Sequence, residues 1–265
     1  MNAKRLGEIV LLALITAMMI VGGVAAAATD DSLAKVKAAG VLRIGVDDAF
    51  PPMEYRDEKG KLIGFDVDLA DEIGRRIGVA IEWVPTAWDG VILALQSGKF
   101  DIILSSMTIT EERAKMIDFS PPYIQGAQIV VVREKDDSIK SLPDLAGKVV
   151  GSQLGSTGEV AARKISGIKE LKLYGQFTEA LTDLAIGRVQ AVVLDEFVGR
   201  YYVTRRPGVY RVLGERLSEE ELGIAFRKGD QSLRDAVCAA LEAIKADGTY
   251  AAISKKWFGV DVSKR

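Results

Sequence analysis

Histidine is absent from the 265 residues. That removes Ser–His–Asp and Cys–His catalysis and every metal site that needs imidazole. Cysteine occurs once, at Cys238, so an intramolecular disulfide and a thiolate metal cluster are both excluded. Its setting, "LRDAVCAALEAI", reads as an amphipathic helix carrying a small core thiol. No Lys/Arg block exists and the net charge is −2, which argues against nucleic acid as a partner, because phosphate contact needs concentrated positive charge. No GxxxxGK[ST] motif occurs, so a nucleotide-binding P-loop is absent too. Neither a metal nor any other cofactor is expected. What remains is ordinary globular composition, 48% hydrophobic and 27% charged, enough for one large domain or two small ones.

Residues 1–28 read as a separate unit. Lys4 and Arg5 give a positive start, an apolar run begins at Ile9, and "VAAAATDD" offers small residues for cleavage near Ala27 or Ala28. This is a secretory signal pattern. A membrane anchor is the alternative, since the run approaches spanning length, but its end is filled by alanines rather than bulk. No cysteine follows it, so lipid attachment there is excluded. The expected location is the periplasm, with the mature chain free and monomeric.

Downstream, strand and helix patterns alternate. "VLRIGV" predicts a strand, with a turn through Pro51 and Pro52. "FDVDLADEIGRRIG" predicts a helix, with Val67, Ala70, Ile73 and Ile77 on one face; Asp66 and Asp68 at its start and Arg75 and Arg76 at its end suit the helix dipole. "AIEWV", a helix closed by Gly98, and the strand "FDIIL" follow. The order βαβαβ argues for a mostly parallel sheet flanked by helices. It returns later with "KVVGSQ", "STGEVAARKI", "FTEALTDLAIG" and "AVVLDE". "LQSGKFDIILSS" (95–106) also aligns without gaps on "LAIGRVQAVVLD" (184–195), with an aromatic, Trp88 or Phe177, ahead of each. The reading is two duplicated α/β lobes: residues 29–125 with 221–265, and 126–220. The strands "PPYIQGAQIVVVRE" and "ELGIAFRKGD" would cross between them and form a two-strand hinge.

Ligands of open α/β sheets bind beyond the carboxyl ends of strands. The strand ends offer Asp47 and Phe50, then Ser105, Ser106 and Thr108, then Gln153, and last Asp195. "SSMTITEERAK" gathers hydroxyls ahead of Arg113. Either one is a nucleophile or the group is a cradle for something small and charged; with no histidine they read as hydrogen-bond donors. "GSTGE" has the Ser156 to Glu159 spacing of a capping box, with Thr157 in its first turn, where backbone amides also attract anions. Arg113 is either a surface residue paired with a glutamate or a two-pronged carboxylate clamp. Asp195 is a turn residue or the mate of an ammonium. Trp88 and Phe50 are core or an aromatic clamp. Anion donors, an acid and an aromatic clamp together describe the zwitterion of a free amino acid.

The segments "GFDVDLADEIG", "WDGVILALQSGKFDIILSSMTITEER", "FSPPYI", "LAGKVVGSQLGSTGE" and "KKWFG" resemble the polar amino-acid-binding solute receptors of bacterial ATP-driven importers, from about Val41 to Gly259. The resemblance implies a two-lobed type II periplasmic binding fold that closes on its ligand and delivers it to a membrane permease. It further implies that Arg113 clamps the ligand α-carboxylate with the Thr108 and Thr157 amides. Asp195, with Ser106 and Thr108, would hold the α-ammonium, and Phe50 and Trp88 would flank the side chain. Asp47 and Gln153 take the positions that choose the side chain, pointing to arginine, lysine or glutamine, with arginine ahead. Gly158 departs from the longer polar residue of some relatives. Prephenate or arogenate dehydratases share the resemblance and would need a general acid, Asp195 or Glu196. "SLAK" (32–35) fits the S-x-x-K of Ser–Lys hydrolases, but no KTG follows, and the motif is expected in mobile chain. A ligand-sensing module is a third reading.

Overall fold

The computed structural model describes residues 30–262; the expected signal segment, 1–28, lies outside them. The chain opens with helix α1 (Ser32–Ala39), strand β1 (Val41–Val46), and a small antiparallel sheet of β2 (Ala49–Phe50), β3 (Glu54–Arg56) and β4 (Leu62–Ile63). Helix α2 (Phe65–Ile77) leads to β5 (Ala80–Pro85), and α3 (Val91–Gln96) to β6 (Ile102–Thr108). After α4 (Glu111–Met116) come β7 (Ile117–Phe119) and β8 (Ile124–Gly126). The next six elements are β9 (Gln128–Arg133), β10 (Val149–Gln153), α5 (Thr157–Ala162), β11 (Glu170–Tyr174), α6 (Phe177–Ala185) and β12 (Ala191–Asp195). They are followed by α7 (Glu196–Arg205), β13 (Tyr210–Arg216), β14 (Glu220–Arg227), α8 (Gln231–Ala246) and α9 (Thr249–Phe258).

Two large sheets result. One runs β5-β1-β6-β14-β7, with β8 also on β14; the other runs β11-β10-β12-β9-β13. Both are mixed. Three parallel strands form the heart of each, and the strands next to the crossings, β14 and β9, join antiparallel. The chain passes from the first sheet to the second between Gly126 and Gln128 and returns between Arg216 and Glu220.

The duplication read from the sequence is repeated in strand order and register. Ile44 faces Ile102 in one lobe as Val150 faces Ala191 in the other, and Gly45 and Gly151 are the next positions. A Cβ on Gly45 would fall 2.4 Å from the Phe100 ring, so the approach of that ring requires glycine here. Strands buried on both faces explain the continuous apolar runs. In β9, Ile129 and Val131 pack on one side with Phe177, Leu181 and Val198, whereas Val130 and Val132 pack on the other with Leu145, Val150 and Ala162.

Two expectations change. β6 does not stop at the hydroxyls: pairing with β14, Thr108 opposite Leu222, carries the strand through all three of them. The SLAK segment is not mobile chain. It forms α1, with Ser32 Oγ 3.0 Å from Ser232 Oγ and accepting from the Leu233 amide at 3.2 Å, and with Val36 buried. Cys238 is half-buried on α8, and burial pushes its thiol pKa up.

Candidate functional site

β6 turns toward α4 at Thr110, whose hydroxyl accepts from the Arg113 amide at 3.1 Å. That N-cap fixes the first turn of α4 and directs the Arg113 side chain inward. Arg113 is 8% exposed. Its Nη1 donates to the Thr108 carbonyl at 2.9 Å and its Nη2 to the Gly155 carbonyl, on the other lobe, at 3.2 Å. The guanidinium lies 5.5 Å from the centre of the Trp88 ring. No carboxylate among the described residues pairs with it, so the surface Arg–Glu reading fails. Burial lowers its pKa, and the charge of Glu220 offsets part of that. A desolvated guanidinium bonded only to carbonyls retains its attraction for an anion.

Trp88 and Arg113 line a narrow cavity between the lobes, together with Phe50, Ser105, Ser106 and Thr108 from the same side. Gln153, Ser156, Thr157 and Asp195 line it from the other. Asp47 is the one residue of the sequence-derived set that is not on the wall. It stands behind Gln153, whose Nε2 donates to Asp47 Oδ2 at 2.7 Å and to the Gly175 carbonyl at 2.9 Å. Both amide protons of Gln153 are thereby used. Gln128 and Phe177, which sequence reasoning did not include, complete the wall. Phe177 meets Phe50 at 5.9 Å between ring centres; its alignment with Trp88 in the internal repeat was the signal that could have found it.

Asp195 ends β12 and starts α7, and its Oδ1 accepts from the Phe197 amide at 2.8 Å. Burial, followed by the nearby Glu220, Glu196 and Asp66, holds its carboxyl well above the usual range despite that bond. Such a group takes on its charge when a cation arrives beside it. Glu196 is not on the cavity wall; it pairs with Arg200 and Arg216.

The hydroxyls behave differently from the donors expected of them. Ser105 Oγ donates to Glu54 Oε1 at 2.7 Å, Ser106 Oγ to Asp66 Oδ2 at 3.2 Å, and Thr108 Oγ1 to Glu220 Oε2 at 2.8 Å. Thr157 Oγ1 also donates to Glu220 Oε2, at 3.0 Å. Three buried carboxyl groups behind the wall therefore take the protons; Ser105 Oγ also accepts from the Asp47 amide at 3.0 Å and Thr157 Oγ1 from Gln128 Nε2 at 3.2 Å, and the lone pairs of Ser106 and Thr108 are left for the cavity. None of the three acids was singled out from the sequence. Glu220 was findable, because strand alternation puts it on the same face as the buried Leu222 and Ile224. Asp66 was findable by helical spacing with Ala70 and Ile73, but its place in the first turn suggested only a dipole partner.

Ser156 caps α5 by accepting from the Glu159 amide at 3.1 Å. Glu159 Oε2 reaches the Gly155 amide at 2.8 Å, so the box closes one residue earlier than the motif predicts. A Cβ on Gly158 would lie 2.8 Å from Gln128 Oε1 and 2.9 Å from Ser152 Oγ. Gln128 fills the space that a longer residue at 158 would need. Among the described residues no group of acids or cysteine is arranged to hold a metal.

The chain is 35% identical to the L-cystine-binding protein TcyJ of Escherichia coli K12, with 100% of both chains covered. Solved structures of an ancestral arginine-binding protein bound to arginine and bound to glutamine each match with TM-score 0.80 and 49% identity. The arginine complex covers 83% of this chain and 99% of its own. The ancestral amino acid-binding protein AncCDT-1, a precursor of cyclohexadienyl dehydratase, matches with TM-score 0.81 at 40% identity, over 86% of this chain and 99% of that one. The model of the bacterial extracellular solute-binding proteins, family 3, matches residues 42–260, and the chain belongs to that family.

Proposed function

We propose that this protein captures a free polar amino acid of the arginine, lysine or glutamine class and delivers it to the permease of an ATP-driven importer. It does so in the periplasm, as a monomer, by closing a lobe of residues 29–125 and 221–265 on a lobe of residues 126–220. The observation that carries the reading is a buried guanidinium, Arg113, sharing one cavity with a buried acid, Asp195, neither of them in an ion pair among the described residues. The ligand carboxylate pairs with Arg113, assisted by the first amides of α5. The ammonium meets Asp195 and the lone pairs of Ser106 and Thr108. Phe50, Phe177 and Trp88 flank the aliphatic part.

Side-chain choice follows from Gln153. With both Nε2 protons held by Asp47 and Gly175, the amide offers only its oxygen to the ligand. An acceptor there favours a side chain that ends in N–H: guanidinium, ammonium or amide. Asp47 acts from behind, fixing which way the amide faces. Calorimetry across the twenty common amino acids tests the reading, with micromolar or tighter binding, roughly −8 kcal/mol or better, for at least one of the three. No heat with any of them would overturn it.

The raised pKa of Asp195 supports a second reading, a general acid for prephenate or arogenate dehydration. An ammonium beside Asp195 removes that capacity by lowering its pKa. Turnover of prephenate without amino-acid binding would favour the enzyme.

A further inference from the structure

Ser106 is the one residue other than glycine with positive φ among the described residues, at 49°. L-residues avoid this region because Cβ crowds the carbonyl, so something must hold it there. Its amide donates to Asp66 Oδ2 at 2.9 Å and its hydroxyl to the same oxygen at 3.2 Å. Tyr123 OH adds a third bond to that oxygen at 2.8 Å. Asp66 is fully buried, and so is Glu54, which approaches from β3.

The two acids bind neighbouring residues of β6. Glu54 Oε1 is occupied by the Ser105 hydroxyl. Glu54 Oε2 and Asp66 Oδ1 are buried and receive no donor, and the charge of Asp66 bears directly on Glu54. Two carboxylate oxygens attract only with a proton between them, and two bare charges in so dry a place repel strongly. One proton removes both difficulties.

We propose that Glu54 and Asp66 share this proton as carboxylic acid and carboxylate, with the charge on Asp66, and that the pair positions Ser106 so that its lone pairs meet the ammonium end of the ligand. Asp66 carries the charge because three donors converge on one of its oxygens and because it lies in the first turn of α2, where the helix dipole favours an anion. Glu54 has a single donor and no helix terminus. The other ionisable groups around the pair are Asp47 and Asp195, which oppose a second negative charge, and the Tyr123 and Tyr250 phenols, kept neutral by burial. Ser106 touches the ligand; Glu54 and Asp66 act through it. The ligand part of this inference rests on the amino-acid reading above, whereas the proton-sharing part does not.

The experiment has two arms. In the first, side-chain carboxyl 13C spectra of the free protein at neutral pH show one protonated glutamic acid, and Glu54→Gln removes that signal. Its absence from the wild type overturns the proposal whether or not any ligand binds. In the second, calorimetry with the tightest binder among arginine, lysine and glutamine compares two neutral replacements, with circular dichroism to verify that each is folded. Glu54→Gln still donates to Asp66 and keeps the dissociation constant within about threefold, whereas Asp66→Asn loses the charge-assisted bonds to Ser106 and weakens it at least about tenfold. The wild-type affinity also falls as the pH drops below about 6, where Asp66 takes a second proton; Asp195 adds its own proton-linked loss in every variant, so in Asp66→Asn the fall is shallower. The reverse order of the two variants, or equal losses, overturns the assignment. If the wild type binds no amino acid, the functional reading fails and the spectra still decide the proton.

Discussion

A guanidinium buried among carbonyls is a standing cost to the free protein, because no acid among the described residues pairs with it and Glu220 offsets only part of its desolvation. Arg113 is in that position. Arg113→Met therefore separates binding from folding. It leaves the ligand carboxylate unpaired in a dry cavity, a loss of about 3–5 kcal/mol and so upward of a hundredfold in affinity. The melting temperature of the free protein stays level or rises. Calorimetry and thermal melts on the same sample check both, and a variant that binds within tenfold of wild type would mean the carboxylate sits elsewhere. A second residue-scale prediction concerns Asp47. With Asn at 47, the Gln153 amide loses its charged acceptor, and the Gly175 carbonyl alone holds its protons turned away from the ligand. The amide can then rotate and offer N–H to the cavity. Arginine and lysine, which carry only donors, weaken by about tenfold in Asp47→Asn. Glutamine, whose own amide can turn to match, weakens less. Equal losses across the three, measured by titration, would remove Asp47 from side-chain selection.

Elements bring these residues together, and they were legible to different degrees. The two βαβαβ halves could be read in outline because apolar runs, capping residues and Gly98 mark them, although β6 runs on past its expected end and β11, with no fully buried residue, was not among the strands read. Gapless alignment of the two halves even matched Ser106 to Asp195, and both end on the cavity. What stayed hidden was the support behind the wall. Glu54, Asp66 and Glu220 look in sequence like solvated acids in charged stretches, and only the tertiary approach of β3, α2 and β14 to β6 turns them into acceptors for the hydroxyls. Gln128 stayed hidden because it opens an apolar run at the crossing. Gly158 shows the consequence at the level of an element. In Gly158→Ala the new methyl meets Gln128 Oε1 and Ser152 Oγ at less than 3 Å, so Gln128 must move and release Glu220, to which it donates at 3.1 Å. Overpacking of this kind costs about 1–3 kcal/mol. Urea melts should show that loss, and adding Gln128→Ala should recover part of it; no recovery would place the strain in α5 itself.

At the scale of the molecule, the lobes are tied by polar contacts that meet at the base of the cleft. Arg113 reaches Gly155, Gln153 reaches Asp47, and Glu220, where the chain re-enters the first sheet, accepts from Thr108 on one lobe and from Thr157 and Gln128 on the other. Acids are thereby gathered in a dry place on and behind the cavity wall, and this sets the pH dependence of the free protein. Burial raises the pKa of Asp47, Glu54, Asp66 and Asp195. An acid whose folded pKa is raised binds more protons folded than unfolded in the window between its ordinary value near 4 and its folded value, which is about 6 for Asp66. Across that window stability falls as the pH rises. Glu72 and Asp183 have the opposite sign. Arg75 and Arg76 hold the first at about 2, and Lys172, Tyr174 and Arg188 hold the second at about 2, so what they contribute is complete at neutral pH and disappears only as the pH drops toward those values. The free protein should then melt highest in mildly acidic solution, near pH 5, and lower at pH 8. A saturating amino acid reverses part of the slope, because an ammonium beside Asp195 favours the charged acid and binding then releases protons. Thermal melts from pH 4 to 8 with and without ligand, and calorimetry in buffers of different ionisation heat, measure both effects. A melting temperature of the free protein that climbs steadily from pH 5 to 8 would show that the buried acids do not hold their protons.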